Sequence, residues 1–250
     1  MRYHIDTIPV WDALKTMGEC PLCALRRKTE HTLTDRYLGA SVMEPDTRIR
    51  VNAKGFCAAH HRMLYAKQNR LGHALMMLSH VREVRDKLAP LLSLPARPSQ
   101  GGLFDRMRKR TEADTASSIS PLEVLVNGCV LCDSLQENME RYAYTVLHLW
   151  KTDESFQKAL LASRGFCVPD TAMLLDMAAQ HLSGKHLESF RQAIGTLLTE
   201  NLKRLDEELE WFTLKFDYRN NDKPWGESRD ALERTVQKLR GWCVGKDPGL

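Results

Sequence analysis

Six of the seven cysteines fall into two sets that share their neighbours and their spacing. In each set a Cys-x-x-Cys motif is followed 34 or 35 residues later by Gly-Phe-Cys, with a histidine or an aspartate three residues further on. The first set comprises Cys20, Cys23, Cys57 and His60, and the second comprises Cys129, Cys132, Cys167 and Asp170. Thiolates combined with an imidazole or a carboxylate form tetrahedral zinc sites. The sequence therefore predicts two metal sites, one within each set.

The ligand chemistry leaves several interpretations open. Zinc is the expected ion, but three thiolates with one further ligand are also compatible with an iron–sulfur cluster. Alternatively, the cysteines are buried thiols that pack as small apolar groups. Asp170 stands where the first set has His60, so the second site binds zinc through the carboxylate, keeps a water in that position, or holds no metal. His61 adjoins His60 but points about 100° away on a helix, so His60 is the expected ligand.

The two sets also define an internal repeat. Corresponding cysteines lie 109 or 110 residues apart, and the glycine and phenylalanine before the third cysteine recur, which indicates a duplication. We expect one helical unit at 1–93, a second at 121–250, and between them a connector at 94–120. The connector is rich in Pro, Gly, Ser and basic residues and has no clear apolar stripe.

Apolar periodicity predicts an all-α fold. Apolar residues recur every three or four positions from Leu187 to Phe216, which predicts one long C-terminal helix, and a similar pattern follows His60 up to Leu88. Each Cys-x-x-Cys and each Gly-Phe-Cys is expected to begin a helix. The segments 24–54 and 133–164 would then leave and return as helical hairpins, so that the helix N-termini of each unit converge on its metal site.

Composition narrows the function classes. The start of the chain lacks the features of a secretory signal, and no run of apolar residues is long enough for a membrane helix, so we expect a cytoplasmic protein without a membrane partner. The formal charge of +4 is a mild excess. Nucleic-acid binding is not expected, because the basic cluster of Arg106, Arg108, Lys109 and Arg110 lies in the connector, where such clusters are usually solvated.

The motifs CPLC, GFCAAHH, CVLC and GFCVP, together with KFDYRN, PWG and DALER near the C-terminus, resemble an uncharacterised bacterial family that is defined as a domain of unknown function. The resemblance covers nearly the whole chain apart from the connector. It implies a cytosolic bacterial protein and carries no established activity. It also implies a histidine in the second Gly-Phe-Cys motif, and Asp170 departs from that pattern.

These observations favour a zinc-binding helical protein that acts without catalysis, as a binding or regulatory module for a protein partner or a small molecule. The alternatives are an iron–sulfur or thiol redox protein and a metalloenzyme that uses the Asp170 site. The segment after the long helix is expected to be a loop that packs Trp225 onto the bundle and caps the final helix through Ser228, rather than a binding surface.

Overall fold

The chain folds into α-helices, and a computed structural model, which describes residues 4–16, 18–92 and 127–245, contains no strand within these ranges. The helices are α1 (His4–Lys15), α2 (Pro21–Leu38), α3 (Pro45–Lys54), α4 (Ala58–Ala66), α5 (Arg70–Leu92), α6 (Val130–Thr152), α7 (Glu154–Leu161), α8 (Val168–His181), α9 (Gly184–Leu214) and α10 (Ala231–Arg240). Short 3-10 helices cover Ala40–Met43, Tyr218–Asn220 and Gly226–Ser228. The prediction of an all-α fold with a long C-terminal helix is confirmed. In the described part of the chain, no helix is both long and apolar enough to cross a bilayer.

The helices form two compact units that differ from the sequential division predicted from the repeat. The central unit is Thr32–Ser134, and the discontinuous unit combines Met1–His31 with Leu135–Leu250. The boundaries fall inside α2 and α6. The predicted units at 1–93 and 121–250 therefore do not coincide with these compact units, and the predicted connector at 94–120 lies outside the described residues.

The core of the discontinuous unit is built on the amphipathic helix α9. This helix packs against α8 and α10, and α1 packs against α7. Phe190, Ile194 and Leu205 of α9 are buried at helical spacing, as the periodicity predicts. Where α1 packs against α7, the rings of Trp11 and Phe156 meet edge to face with a centroid distance of 5.3 Å.

In the central unit, α3 packs against α5, and α4 also contacts α5. The apolar pattern after His60 does not form one continuous helix. The chain breaks between α4 and α5 at Gln68, which adopts a positive φ of 63°. Asn69 stabilises the break, because its amide donates to the Leu38 carbonyl at 2.7 Å and its side-chain oxygen accepts from the Gly72 N–H at 3.0 Å.

The loop between α9 and α10 packs largely as predicted. The ring of Trp225 contacts those of Phe212 and Phe216, with centroid distances of 5.8 and 6.4 Å. The prediction that Ser228 caps the final helix was wrong. The Ser228 hydroxyl donates to the Trp225 carbonyl at 2.6 Å, and Asp230 is the N-cap residue of α10.

Candidate metal centres

The eight predicted ligands come together in two groups of four. The aspartate cluster consists of Cys20, Cys23, Cys167 and Asp170, and the histidine cluster consists of Cys57, His60, Cys129 and Cys132. Within each cluster, one donor atom from every residue lies within 4.8 Å of the others. The predicted grouping within each repeat was wrong, because each cluster joins the Cys-x-x-Cys of one copy to the Gly-Phe-Cys of the other.

Helix lengths explain the crossed grouping. After Cys23 the chain continues through α2, whose 18 residues extend about 27 Å, whereas α3, which leads to Cys57, has 10 residues and extends only about 15 Å. The same imbalance occurs in the second copy, where the 23 residues of α6 are followed by the 8 residues of α7. The expected hairpins therefore do not close on the Cys-x-x-Cys where they begin.

Helix starts present the ligands, as the sequence predicts. Cys57 and Cys167 are the N-cap residues of α4 and α8, and Cys20 and Cys129 immediately precede α2 and α6. Gly55 makes the bend before α4 with a φ of 64°, a conformation that side chains disfavour. Thiolates and carboxylates benefit here from the positive end of the helix dipole and from free N–H groups.

In the aspartate cluster a single carboxylate oxygen faces all three sulfurs. Asp170 Oδ2 lies 3.2 Å from the Sγ atoms of Cys20 and Cys167 and 3.6 Å from that of Cys23. The Sγ atoms of Cys23 and Cys167 are 3.7 Å apart. This separation is far beyond the roughly 2.05 Å of a disulfide. Four donors thus converge on one point, with Oδ2 in the position of a single-oxygen ligand.

The other oxygen of the same carboxylate has a different partner. Asp170 Oδ1 accepts from Arg26 Nη2 at 3.2 Å, and the Asp170 side chain is only 4% exposed. Arg26 lies one turn beyond Cys23 on α2, so the helix that provides two thiols also provides the cation. The backbone N–H of Trp242 donates to Cys23 Sγ at 3.3 Å, which adds a hydrogen bond to a sulfur ligand. Such contacts hold a ligand in position and tune its basicity.

A buried lysine ties together the two segments that provide the aspartate cluster. Lys238 of α10 is fully buried, and its ammonium donates to the carbonyl of Glu19 at 2.7 Å and to that of Arg164 at 2.6 Å. Glu19 immediately precedes Cys20, and Arg164 immediately precedes the Gly-Phe-Cys motif. One side chain therefore fixes the distance between the two ligand-bearing segments.

The Glu19 carboxylate completes this network. Arg204 binds both of its oxygens at 2.9 and 2.8 Å, Arg164 approaches to 3.1 Å, and the Lys238 ammonium is 3.4 Å away. Burial lowers the pKa of Lys238, and the nearby Glu19 opposes this effect. No motif in the sequence points to these positioning residues. In the sequence, Glu19 is visible only as a charged residue inside GECPLC, and Lys238 only as a lysine inside QKLRG.

The histidine cluster has matching geometry. His60 Nδ1 lies 3.3 Å from Cys57 Sγ, 3.2 Å from Cys129 Sγ and 3.4 Å from Cys132 Sγ. The Sγ atoms of Cys57 and Cys132 are 3.8 Å apart, and the Cys132 N–H donates to Cys129 Sγ at 3.4 Å. His61 points elsewhere, with its Nδ1 3.0 Å from Nε2 of His73. His60 is thus the histidine that faces the thiols.

Backbone contacts hold the two halves of the histidine cluster in register. The Val130 N–H donates to the Gly55 carbonyl at 3.1 Å, which links the starts of α6 and α4. At Gly128 an added Cβ would lie 2.6 Å from the carbonyl oxygen of Lys54, so only glycine fits this approach. Lys54 also pairs with Asp133 at 2.6 Å.

Crowding of acidic groups shifts the pKa values within the aspartate cluster. Burial, followed by the neighbouring Cys20, raises the pKa of Asp170 to about 6, against the opposing effect of Arg26. Burial raises the pKa of Cys20 to about 11, whereas hydrogen bonds from the thiols of Cys167 and Cys20 lower the pKa of Cys23 to about 4. The cluster thus favours one thiolate and keeps protons on its neighbours. A divalent cation would relieve this crowding and displace those protons.

The histidine cluster also combines a thiol whose pKa is lowered with one whose pKa is raised. Burial acts to raise the pKa of Cys129, but the hydrogen bond with His60 outweighs it together with backbone N–H groups, and the pKa falls to about 6. Burial and the adjacent Cys129 raise the pKa of Cys132. One readily ionised thiol thus lies beside Cys132, which holds its proton, and a bound divalent cation would displace that proton.

Comparison with known proteins identifies the family. The model of DUF6062, a family of unknown function, matches residues 1–246. The chain belongs to the DUF6062 family. No curated protein and no solved structure matches this chain. The assignment covers both clusters and the segment after α9, and it attaches no activity to them.

The two clusters of this DUF6062 protein differ in exposure. All four residues of the aspartate cluster are buried. In the histidine cluster, Cys132 is exposed and Cys57 is partly exposed, whereas Cys129 and His60 are buried. Cys243 is exposed and belongs to neither cluster. Of the two clusters, only the histidine cluster therefore has thiols that a reagent in solvent reaches without prior opening of the fold.

This difference predicts the order in which the thiols react. When the DUF6062 protein is treated with EDTA and iodoacetamide, Cys57 should be alkylated at least about tenfold faster than Cys20 and Cys167, because these two buried thiols require local opening. Mass spectrometry of timed digests measures the rates. The Cys243→Ser variant removes the background thiol without touching either cluster. Equal rates in the two clusters would contradict the exposure difference.

Proposed function

We propose that this protein binds two zinc ions, one in each cluster, and acts without catalysis as a cytoplasmic binding or regulatory module. The observation that carries the metal assignment is the sulfur–sulfur separation of 3.7 Å in one cluster and 3.8 Å in the other. Two sulfurs bound to one tetrahedral zinc at about 2.3 Å would be about 3.8 Å apart. The sulfur atoms of each cluster therefore have the spacing that suits one zinc ion.

The donor geometry also bears on the alternatives. All donor atoms in a cluster lie within 4.8 Å of one another, which suits one ion better than several irons with bridging sulfides. The carboxylate of Asp170 supplies a fourth donor, and its residue is 3% exposed. Four protein ligands leave no open coordination position, which supports a structural rather than a catalytic ion. Seven unpaired thiols are consistent with a reducing compartment.

Metal analysis of the protein purified under anaerobic conditions tests the proposal. We expect two zinc ions per chain and no visible absorption. Addition of a chelator under mild denaturation should release both ions and lower the free energy of unfolding, because zinc bound only by the folded chain stabilises it. If the metal analysis finds iron and the protein absorbs at about 400 nm, the clusters hold iron–sulfur centres instead of zinc. A fully folded protein without any metal would refute both.

A further inference from the structure

A cleft of about 400 Å³ lies between the C-terminal part of α9 and the loop that follows it, within the discontinuous unit. Trp211, Glu207 and Glu208 line it from α9, and Trp225 and Glu227 line it from the loop. None of these residues belongs to a metal cluster. The cleft thus combines two indole rings with three carboxylates and has no role in the proposed zinc sites.

The loop wall of the cleft is held by a dedicated buried side chain. Lys215 is 5% exposed, and its ammonium donates to three loop carbonyls at 2.6, 3.0 and 2.6 Å, those of Asn220, Asn221 and Lys223. Across the cleft, the indole N–H of Trp211 donates to the Pro224 carbonyl at 3.1 Å. These bonds set the position of Trp225 relative to Trp211, so the cleft is formed before any ligand arrives.

The three carboxylates of the cleft differ in the ion pairs that they form with cationic side chains of the chain itself. Glu208 is paired with Arg204 at 3.1 Å and also with Arg234. Glu207 is largely exposed and meets Lys203 only at 4.0 Å. For Glu227, no cationic group among the described residues lies within 4.0 Å of the carboxylate. Glu207 and Glu227 therefore retain negative charge for a ligand.

The indole faces already attract cations of the chain itself. The ammonium of Lys223 lies 5.7 Å from the ring centroid of Trp211, and that of Lys215 lies 5.4 Å from the ring centroid of Trp225. Both ammonium groups are occupied elsewhere, Lys215 with loop carbonyls and Lys223 with Asn220 Oδ1 at 2.8 Å. Within the described part of the chain, each ammonium group is held by these neutral acceptors, and neither forms an ion pair with Glu207 or Glu227.

We propose that this cleft binds an organic cation, an alkylammonium or guanidinium group that lies against Trp211 and Trp225 and is neutralised by Glu207 and Glu227. Aromatic faces beside carboxylates are the chemistry that recognises such groups, since the apolar part contacts the rings while the charge is balanced. The inference deepens the proposed role as a binding module and rests on it, but it does not depend on the identity of the metal.

The test is a titration of the full-length protein, with indole N–H signals followed by NMR and assigned through Trp211→Phe and Trp225→Phe. The probes are butylguanidinium chloride and tetramethylammonium chloride, with sodium acetate and potassium chloride at equal ionic strength as references. We expect saturable shifts of the Trp211 and Trp225 signals with the organic cations only. Glu227→Gln should weaken binding about fivefold and Glu207→Gln/Glu227→Gln further, as for exposed ion pairs.

Glu210→Gln is the matched control, because Glu210 is exposed on the same helix and does not line the cleft. Its affinity should equal that of the wild type. The absence of saturable shifts, a response to acetate, or an equal loss in Glu210→Gln would overturn the proposal. Zinc content is measured on every variant. If the protein holds two zinc ions but binds no organic cation, only the proposal about the cleft is refuted. If it binds the cation but holds no zinc, only the metal assignment is refuted.

A second arm distinguishes the source of the cation. The blocked amino acid N-acetyl-arginine amide is compared with the same residue in a short Gly/Ser peptide. Tighter binding of the peptide by at least about tenfold, which corresponds to about 1.4 kcal/mol, would assign the cleft to an arginine or lysine side chain of a protein partner. Equal affinity would assign it to a free small cation. Either result supports the proposal, and failure of both probes overturns it.

Discussion

Cys20→Ser combined with Cys167→Ser is expected to remove one zinc ion per chain, whereas Cys20→Ser combined with Cys57→Ser is expected to remove both. The first pair belongs to one cluster, so the second substitution adds little once the ion is lost. The second pair spans two clusters, so each substitution removes a separate ion. The zinc content of the purified variants, measured by atomic emission, therefore shows which motifs share a cluster.

The same variants should differ strongly in stability. Structural zinc sites in small domains contribute apparent binding free energies of about 10–16 kcal/mol, so loss of both ions should abolish cooperative unfolding at ambient temperature. Cys243→Ser is the matched control, since this cysteine lies outside both clusters, and it should retain two zinc ions and the wild-type transition. If Cys20→Ser/Cys57→Ser loses a single ion, the clusters follow the repeat and the crossed grouping is incorrect.

Lys238→Met is expected to lower the free energy of unfolding by about 3–5 kcal/mol, because it leaves the buried Glu19 carboxylate and two carbonyls without their lysine. For a chain of this length the midpoint of thermal unfolding should fall by roughly 6–12 °C at the lower end of that range. Differential scanning calorimetry measures the change. The aspartate cluster should also bind zinc more weakly, because its two ligand segments lose their common tie.

Lys203→Met is the control for removing a lysine as such. Its side chain is 79% exposed, so the substitution should change the stability by less than about 0.5 kcal/mol. The double variant Glu19→Gln/Lys238→Met should be less stable still, because Arg204 and Arg164 then lose their carboxylate partner as well. A Lys238→Met protein as stable as the wild type would show that Glu19 and the two carbonyls do not depend on this lysine.

The aspartate at position 170 is consistent with its surroundings. A carboxylate has a second oxygen that an imidazole ring lacks, and here that oxygen meets Arg26 at 3.2 Å while Oδ2 faces the sulfurs. The arginine compensates the added negative charge in a buried cluster. The aspartate, which stands where the first Gly-Phe-Cys motif has His60, therefore has a matching cation on the neighbouring helix.

The sequence by itself determined the candidate ligand types, the helical class and the placement of each cysteine pair at a helix start. These features are local, since they depend on motif spacing, on apolar periodicity and on the glycine before each third cysteine. The long helix α9 was predictable for the same reason, because its apolar face extends over many turns. The break at Gln68 was not, since Asn69 stabilises it through a bond to the distant Leu38 carbonyl.

Only the tertiary structure decided which motifs share a cluster. Two Cys-x-x-Cys and two Gly-Phe-Cys motifs can be paired in two ways that present equivalent donors, so motif spacing cannot distinguish them. The choice depends on helix lengths and on side chains far away in sequence, above all Lys238, which meets Glu19 from 219 residues away. Such contacts are set by packing, and the sequence around Lys238 shows only a lysine in an amphipathic helix.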